Sequence, residues 1–253
     1  MSTRTAPSSE LVTPSGSAPL FSMQNVEVRY GSALALADVS VAVDAGSVLA
    51  VVGANGAGKS TLARAASGLV PVRSGTITFA GNDVTGWRPS RIRRAGMIHL
   101  PEGRGLFPRL NVAENLRMAA GLVPRRERKA AIDRTYDIFP QLSGRRGQTA
   151  GTLSGGEQQM LSLSRALIVS PALIIADEMS LGLAPLMVDL VFESLARARD
   201  HGVAIVLIEQ FVHRALAFAD TCAVISRGRV AWTGPAEDAK DEVLRQYLGR
   251  GEV

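Results

Sequence analysis

Gly53-Ala54-Asn55-Gly56-Ala57-Gly58-Lys59-Ser60 has the spacing GxxxxGKS, a pattern suited to gripping a polyphosphate. Glycines let successive backbone N–H groups turn inward around phosphate oxygens, and the positive end of a following helix favours the bound anion. In that arrangement Lys59 reaches the β- and γ-phosphates of a nucleotide, the Ser60 hydroxyl holds magnesium, and Thr61 contacts the α-phosphate. The short pattern alone also fits a glycine-rich turn in an unrelated α/β protein. Lysine usage narrows the choice. The basic residues are almost all arginine, and lysine stands only at Lys59, Lys129 and Lys240. A lysine at this position speaks for a compact ammonium on a flexible stem rather than a planar fork.

Leu173-Ile174-Ile175-Ala176-Asp177-Glu178 is an apolar run closed by two carboxylates. Burying acids at the end of such a strand is costly unless they have work to do. Asp177 is placed to hold the magnesium shell, and Glu178 to polarise a water attacking the γ-phosphate. The alternative is that both simply begin a loop at the edge of a sheet.

Leu153-Ser154-Gly155-Gly156-Glu157-Gln158-Gln159 offers a second anion site. Ser154 and Glu157 fit the S-x-x-E capping box, so a helix opens here. The paired glycines leave its terminal N–H groups uncovered, and the helix dipole favours an anion. One nucleotide uses both anion sites if two subunits face each other head to tail, so the pattern predicts a dimer. A capped structural helix is the plainer reading.

These segments need a scaffold. Alternation of apolar and polar residues predicts an antiparallel pair over Phe21 to Tyr30 and Val39 to Val43. Ser47 to Val52 reads as a fully buried strand feeding the glycine-rich turn and a helix from near Lys59. Gly75 to Ala80 is a further strand, followed by the turn Gly81-Asn82-Asp83. From about Val84 to Val169 helical patterns dominate, with Asn111 and Glu114 marking one helix start and Arg125 to Phe139 a helix closed by Pro140. Leu173 to Ala176 and Ala204 to Ile208 read as buried parallel strands separated by a helix over about 185–200. Cys222 to Ser226 and Arg229 to Trp232 form a hairpin about Arg227-Gly228, and a last helix covers about 236–248. The expected fold is α/β: a mostly parallel core sheet, an N-terminal antiparallel β subdomain, and a helical lobe at about 84–169 inserted in the nucleotide-binding core. No internal repeat is visible, which excludes two tandem units of this kind.

Composition bounds the classes. A chain of 253 residues, 46% apolar, can bury one large α/β domain or one domain with an inserted lobe. Its apolar runs are far shorter than the ~20 residues needed to cross a bilayer. Residues 1–19, rich in Ser, Thr, Pro and Ala, read as a disordered tail and lack the apolar stretch of a secretory signal. Cys222 is the single cysteine, so no internal disulfide or cysteine metal cluster forms, which suits a reducing cytoplasm. The net charge of +5 gathers at Arg88, Arg91, Arg93 and Arg94 and at Arg125, Arg126 and Arg128, without interleaved aromatics. That argues against nucleic acid and for a solvated helix face or a surface docked on a membrane partner.

The LSGGEQQ segment resembles the signature of ABC ATPases, and the resemblance runs from about Leu20 to Gly249. It implies a P-loop NTPase core that binds ATP with Mg2+, and a second ATP-binding subunit, identical or paralogous, whose ATP is closed over by Ser154, Gly155, Gly156 and Glu157. Tyr30, just before Gly31, matches the aromatic that stacks on adenine, so the ATP-contacting set becomes Tyr30, Gly53, Ala54, Asn55, Gly56, Ala57, Gly58, Lys59, Ser60 and Thr61. Pro101-Glu102-Gly103-Arg104 stands where most members carry a glutamine-centred loop, and Ile208-Glu209-Gln210 where most carry a switch histidine. Glu102 thus takes the glutamine's place at the metal and the reacting water, and Gln210 the histidine's; Glu178, Gln210 and Glu102 form the implied catalytic set, and Ser60, Asp177 and Glu102 the metal set. These substitutions, with Ser180-Leu181-Gly182-Leu183-Ala184-Pro185, are similar to the ATP-binding subunits of branched-chain amino acid importers of the LivF type. Such systems imply two membrane permeases, an extracytoplasmic substrate-binding protein and a station at the cytoplasmic face of the membrane. Met179 departs from the usual proline, which leaves the loop carrying Glu178 without a fixed φ. His213, one turn beyond Gln210, reads as a helix-surface residue. A soluble DNA-repair or translation ATPase of this family needs a long coiled coil, zinc-binding cysteines or two ATPase units, and none is visible.

Overall fold

The structure, a computed structural model, describes residues 18–239. Most of the expected tail and most of the expected final helix therefore lie outside the described residues. In chain order the strands are β1 (Phe21–Tyr30), β2 (Ala33–Val43), β3 (Val48–Val52), β4 (Ser74–Phe79), β5 (Asn82–Asp83), β6 (Met97–Leu100), β7 (Leu173–Asp177), β8 (Ala204–Ile208), β9 (Thr221–Ser226) and β10 (Arg229–Pro235). The helices are α1 (Lys59–Ala66), α2 (Pro89–Arg94), α3 (Val112–Ala120), α4 (Arg128–Ile138), α5 (Pro140–Ser143), α6 (Gly155–Leu167), α7 (Pro185–Asp200) and α8 (Val212–Phe218).

The strands form an antiparallel sheet in the order β2-β1-β4-β5 and a mostly parallel sheet in the order β10-β9-β3-β8-β7-β6. β3 sits between β9 and β8, parallel to both, and β7 lies beyond β8. All five residues of each of β3, β7 and β8 are buried, as both faces of a covered parallel sheet require. Leu49 and Val51 face a core shared with β1, β2 and α1, whereas Val48, Ala50 and Val52 face a core built with α3, α6 and α7. Alternating directions along one strand thus join the two layers. Cys222, on β9, is wholly buried, and burial pushes its thiol up to about 12.

Three expectations shift. Met97–Leu100, inside the stretch expected as a helical lobe, is strand β6 at the edge of the parallel sheet, paired with β7; the lobe as drawn from sequence therefore takes in part of the core. Four residues among arginines carry too short an alternation to be seen. β2 begins at Ala33 rather than Val39, because register shifts against β1 interrupt its alternation. α4 begins at Arg128 rather than Arg125, since Pro124 to Glu127 form a separate turn in which the Glu127 N–H donates to the Pro124 carbonyl at 2.8 Å.

The loop from β6 to α3 is pinned by Asn115, fully buried on α3. Its Oδ1 accepts from the Phe107 N–H (3.0 Å), and its Nδ2 donates to the carbonyls of Phe107, Asn111 and Leu110 (3.0, 3.1 and 3.3 Å). Asn115→Ala strands those groups and is expected to lower stability by about 1–3 kcal/mol in urea denaturation.

Candidate functional site

β3 ends at Val52, and the chain passes through Gly53–Gly58 into α1. Two glycines here are forced. A Cβ on Gly53 would stand 2.2 Å from the Ile225 carbonyl oxygen, and one on Gly58, at φ +113°, would stand 2.9 Å from the Ala35 carbonyl oxygen. α1 has no side-chain cap and no acid in its first turn, so its leading N–H groups remain free for an anion.

Lys59 is buried, at 4% exposure, and its Nζ donates to the carbonyls of Gly53 (3.0 Å) and Ala54 (3.3 Å). It lies 3.8 Å from Glu178 Oε1. Ser60 Oγ donates to Asp177 Oδ1 at 3.2 Å. Gln210 Nε2, from the end of β8, donates to Glu178 Oε2 at 3.3 Å. The structure therefore brings Lys59, Ser60, Asp177, Glu178 and Gln210 together at the carboxyl ends of β3, β7 and β8. An open cleft of about 760 Å³ is lined by Lys59, Ser60, Glu178 and Gln210 together with Asn55, Thr61 and Glu102, and the buried Asp177 reaches it through Ser60. The paired oxygens of Ser60 and Asp177 are hard ligands of the type Mg2+ takes.

Other expected residues stand apart. Tyr30 is 45% exposed at the end of β1, and that hairpin supplies Leu34 and Ala35 to the cleft, not Tyr30. Ser154, Gly155, Gly156 and Glu157 open α6 outside the cleft. The capping box is formed: Ser154 Oγ accepts from the Glu157 N–H at 3.4 Å, and Glu157 Oε2 accepts from the Ser154 N–H at 2.8 Å. Glu157 also pairs with Arg145 at 2.6 Å. Gln158 and Gln159 line a second cavity of about 330 Å³ together with Glu102 and Glu178. His213 is exposed on α8.

Sequence reasoning missed several neighbours. Arg104 bonds Gln158 and lies against Gly155. His99, on β6, places Nε2 3.9 Å from Asp177 Oδ2 and Nδ1 3.1 Å from Ser67 Oγ. Glu209 is 1% exposed and accepts from Ser180; burial holds its carboxyl above the usual carboxylate range, the Ser180 and Gln210 donors offset this in part, and the Glu178 charge adds to it. A carboxylate directly after a five-residue apolar strand was the one signal for Glu209.

The conserved-domain model described as ABC transporter matches residues 36–180. The chain is 41% identical over 232 residues to the high-affinity branched-chain amino acid transport ATP-binding protein BraG of Pseudomonas aeruginosa, covering 91% of this chain and 100% of that one. Among solved structures, it superposes on an ATP-binding cassette of an ABC transporter in its ADP conformation with a TM-score of 0.81 and 25% identity, covering 92% of this chain and 100% of the other. An ATP-binding subunit of an ABC transporter gives a TM-score of 0.77 at 29% identity, over 92% and 95% of the two chains.

Gly156 is set by packing rather than by φ: a Cβ there would meet Met187 at Sδ (2.1 Å), Cγ (2.8 Å) and Cβ (2.9 Å). Gly156→Ala is expected to destabilise by about 1–3 kcal/mol, and adding Met187→Ala should recover part of that loss in paired urea titrations.

Proposed function

The chain belongs to the ABC transporter family as an ATP-binding and ATP-hydrolysing subunit, and from that premise we propose that it powers an importer of branched-chain or related amino acids with ATP sandwiched between two facing subunits. The carrying observation is the convergence of Lys59 and Gln210 on Glu178 (3.8 and 3.3 Å) beside the Ser60–Asp177 pair (3.2 Å). The similarity to BraG supports the cargo.

In this reading the loop Gly53 to Gly58 and the open end of α1 cradle the phosphates, with Thr61 beside them. Lys59 exchanges its carbonyl contacts for the β- and γ-phosphates. Ser60 and Asp177 would hold Mg2+, with Glu102 in reach of its shell; when bound, the cation would offset the negative charge of the phosphates. Glu178 accepts a proton from the attacking water while Gln210 orients the carboxylate and the water. Tyr30 stacks on adenine. Ser154, Gly155, Gly156 and Glu157 close over the γ-phosphate of ATP held by the facing subunit, identical or paralogous. ATP binding closes the pair, and loss of the γ-phosphate opens it.

Two membrane permeases and an extracytoplasmic binding protein complete the system. No helix among the described residues is long and apolar enough to cross a membrane, and the subunit works at the cytoplasmic face through its permeases. The Glu102 loop and the arginine-bearing helices that follow β6 supply the docking surface, since the loop lines the cleft and those helices can move with it.

Lys59→Ala is expected to weaken ATP binding about 10- to 100-fold in titrations with a fluorescent ATP analogue; undiminished affinity would contradict the phosphate role. Glu178→Gln is expected to bind ATP normally and to hydrolyse it about 10²–10⁴-fold more slowly. In proteoliposomes carrying the permeases and binding protein, it should abolish ATP-driven leucine uptake that the unsubstituted subunit sustains, and full uptake by this variant would remove Glu178 from the role of base.

A further inference from the structure

Glu178, the residue on which hydrolysis turns, sits at φ +51°. A glutamate in the left-handed region is strained, and it stays there only where neighbouring contacts over-determine the backbone. The next residue, Met179, does not fix φ as a proline would. Rigidity must then come from elsewhere.

We propose that Glu209 is a positioning residue for ATP hydrolysis, its buried carboxylate binding both donors of Ser180 and so locking the backbone that presents Glu178. Glu209 Oε1 accepts from the Ser180 N–H at 3.1 Å, and Oε2 accepts from the Ser180 hydroxyl. The Glu178 N–H donates to the Ile208 carbonyl, immediately before Glu209, at 2.8 Å. Gln210, immediately after Glu209, returns to Glu178 Oε2 at 3.3 Å. A closed ring of contacts thus runs from Glu178 to Ser180, across to Glu209, on to Gln210 and back to Glu178. Gln159 Nε2 holds the remaining link from the outside, donating to the Met179 carbonyl at 2.7 Å.

The residue type is the telling part. Glu209 follows an entirely buried strand and is itself 1% exposed. An apolar side chain would fill that space without the cost of taking a carboxylate out of water. What the carboxylate adds is a two-pronged acceptor whose oxygens engage an N–H and an O–H of one residue, which fixes Ser180 in both position and orientation. Fixing Ser180 two residues beyond Glu178 leaves the intervening backbone little freedom to relax from its strained conformation.

The inference rests on the reading of Glu178 as the group that polarises water, and the test separates the two. Glu209→Ala, Glu209→Gln, Ser180→Ala and the double variant Ser180→Ala/Glu209→Ala are compared in the full chain assembled with its permeases, by steady-state ATPase kinetics and by binding of a fluorescent ATP analogue. Glu209→Ala is expected to lower kcat about 10- to 100-fold with ATP affinity changed by no more than about twofold. Glu209→Gln, which keeps an acceptor for the Ser180 N–H, should recover the larger part of kcat, and the double variant should be no slower than Glu209→Ala. Undiminished kcat in Glu209→Ala, an equal loss of kcat and affinity, or multiplied losses in the double variant would each overturn the proposal. Should Glu209→Ala not fold, Ser180→Ala and Glu209→Gln decide: reduced kcat with normal binding in Ser180→Ala, together with activity retained by Glu209→Gln, supports it, and any other pairing overturns it. Glu178→Gln in the same assay marks the other failure: if it turns over normally, the catalytic reading of Glu178 falls whatever Glu209 does, whereas an inactive Glu178→Gln beside a fully active Glu209→Ala removes only the positioning role.

Discussion

Lys59 puts an ammonium group almost wholly out of water at the carboxyl end of a parallel sheet, and the surrounding backbone is shaped by the need to compensate it. An unpaired buried charge is prohibitively expensive. The Gly53 and Ala54 carbonyls turn inward to meet the ammonium. That turn demands a residue without Cβ at Gly53, where the Ile225 carbonyl of β9 already occupies the space, and at Gly58, which abuts the Ala35 carbonyl of β2. The hairpin tip at Gly228 closes the same corner, accepting from the Ala37 N–H and donating to the Ala57 carbonyl. Lys59 and the glycines around it thereby bring the antiparallel sheet, the parallel sheet and the loop between them to one corner.

Strand order then decides which acids can reach that cation. β8 lies between β3 and β7, so Glu178 meets Lys59 across an intervening strand. A long, flexible side chain spans that gap, which a shorter base could not. The intervening strand contributes as well, since its end carries Glu209 and Gln210 to the flank of Glu178. The site is therefore three strand ends wide, and its two carboxylates have separate surroundings: Asp177 between Ser60 and His99, Glu178 between Lys59 and Gln210.

What could be read beforehand was local. The strand-turn-helix at Val48 to Ala66, the boundaries of β8 and α7, and the capping boxes at Asn111 and Ser154 each rest on residues within a few positions of one another, and such signals survive without knowledge of the fold. What escaped was long-range. β6 is recognisable only from its pairing with β7, and the start of β2 only from its bulged register on β1. The later start of α4 follows from the turn closed between the Glu127 N–H and the Pro124 carbonyl, which no periodicity announces. Glu209 offers no signal beyond its place directly after an apolar strand, because its partner lies 29 positions away. The left-handed backbone at Glu178 leaves no trace in composition, since nothing about a glutamate announces it.

Cys222 gives the molecule a practical property. With its thiol sealed inside β9 and held far above neutral pH, the fraction present as thiolate under ordinary conditions is negligible, and alkylating reagents that attack only the thiolate pass it by. A cysteine substituted onto an exposed surface position would accordingly be the dominant labelling target among the described residues. Spectroscopic reporters of opening and closing between subunits can therefore be attached at chosen points without first stripping the native thiol from the sheet.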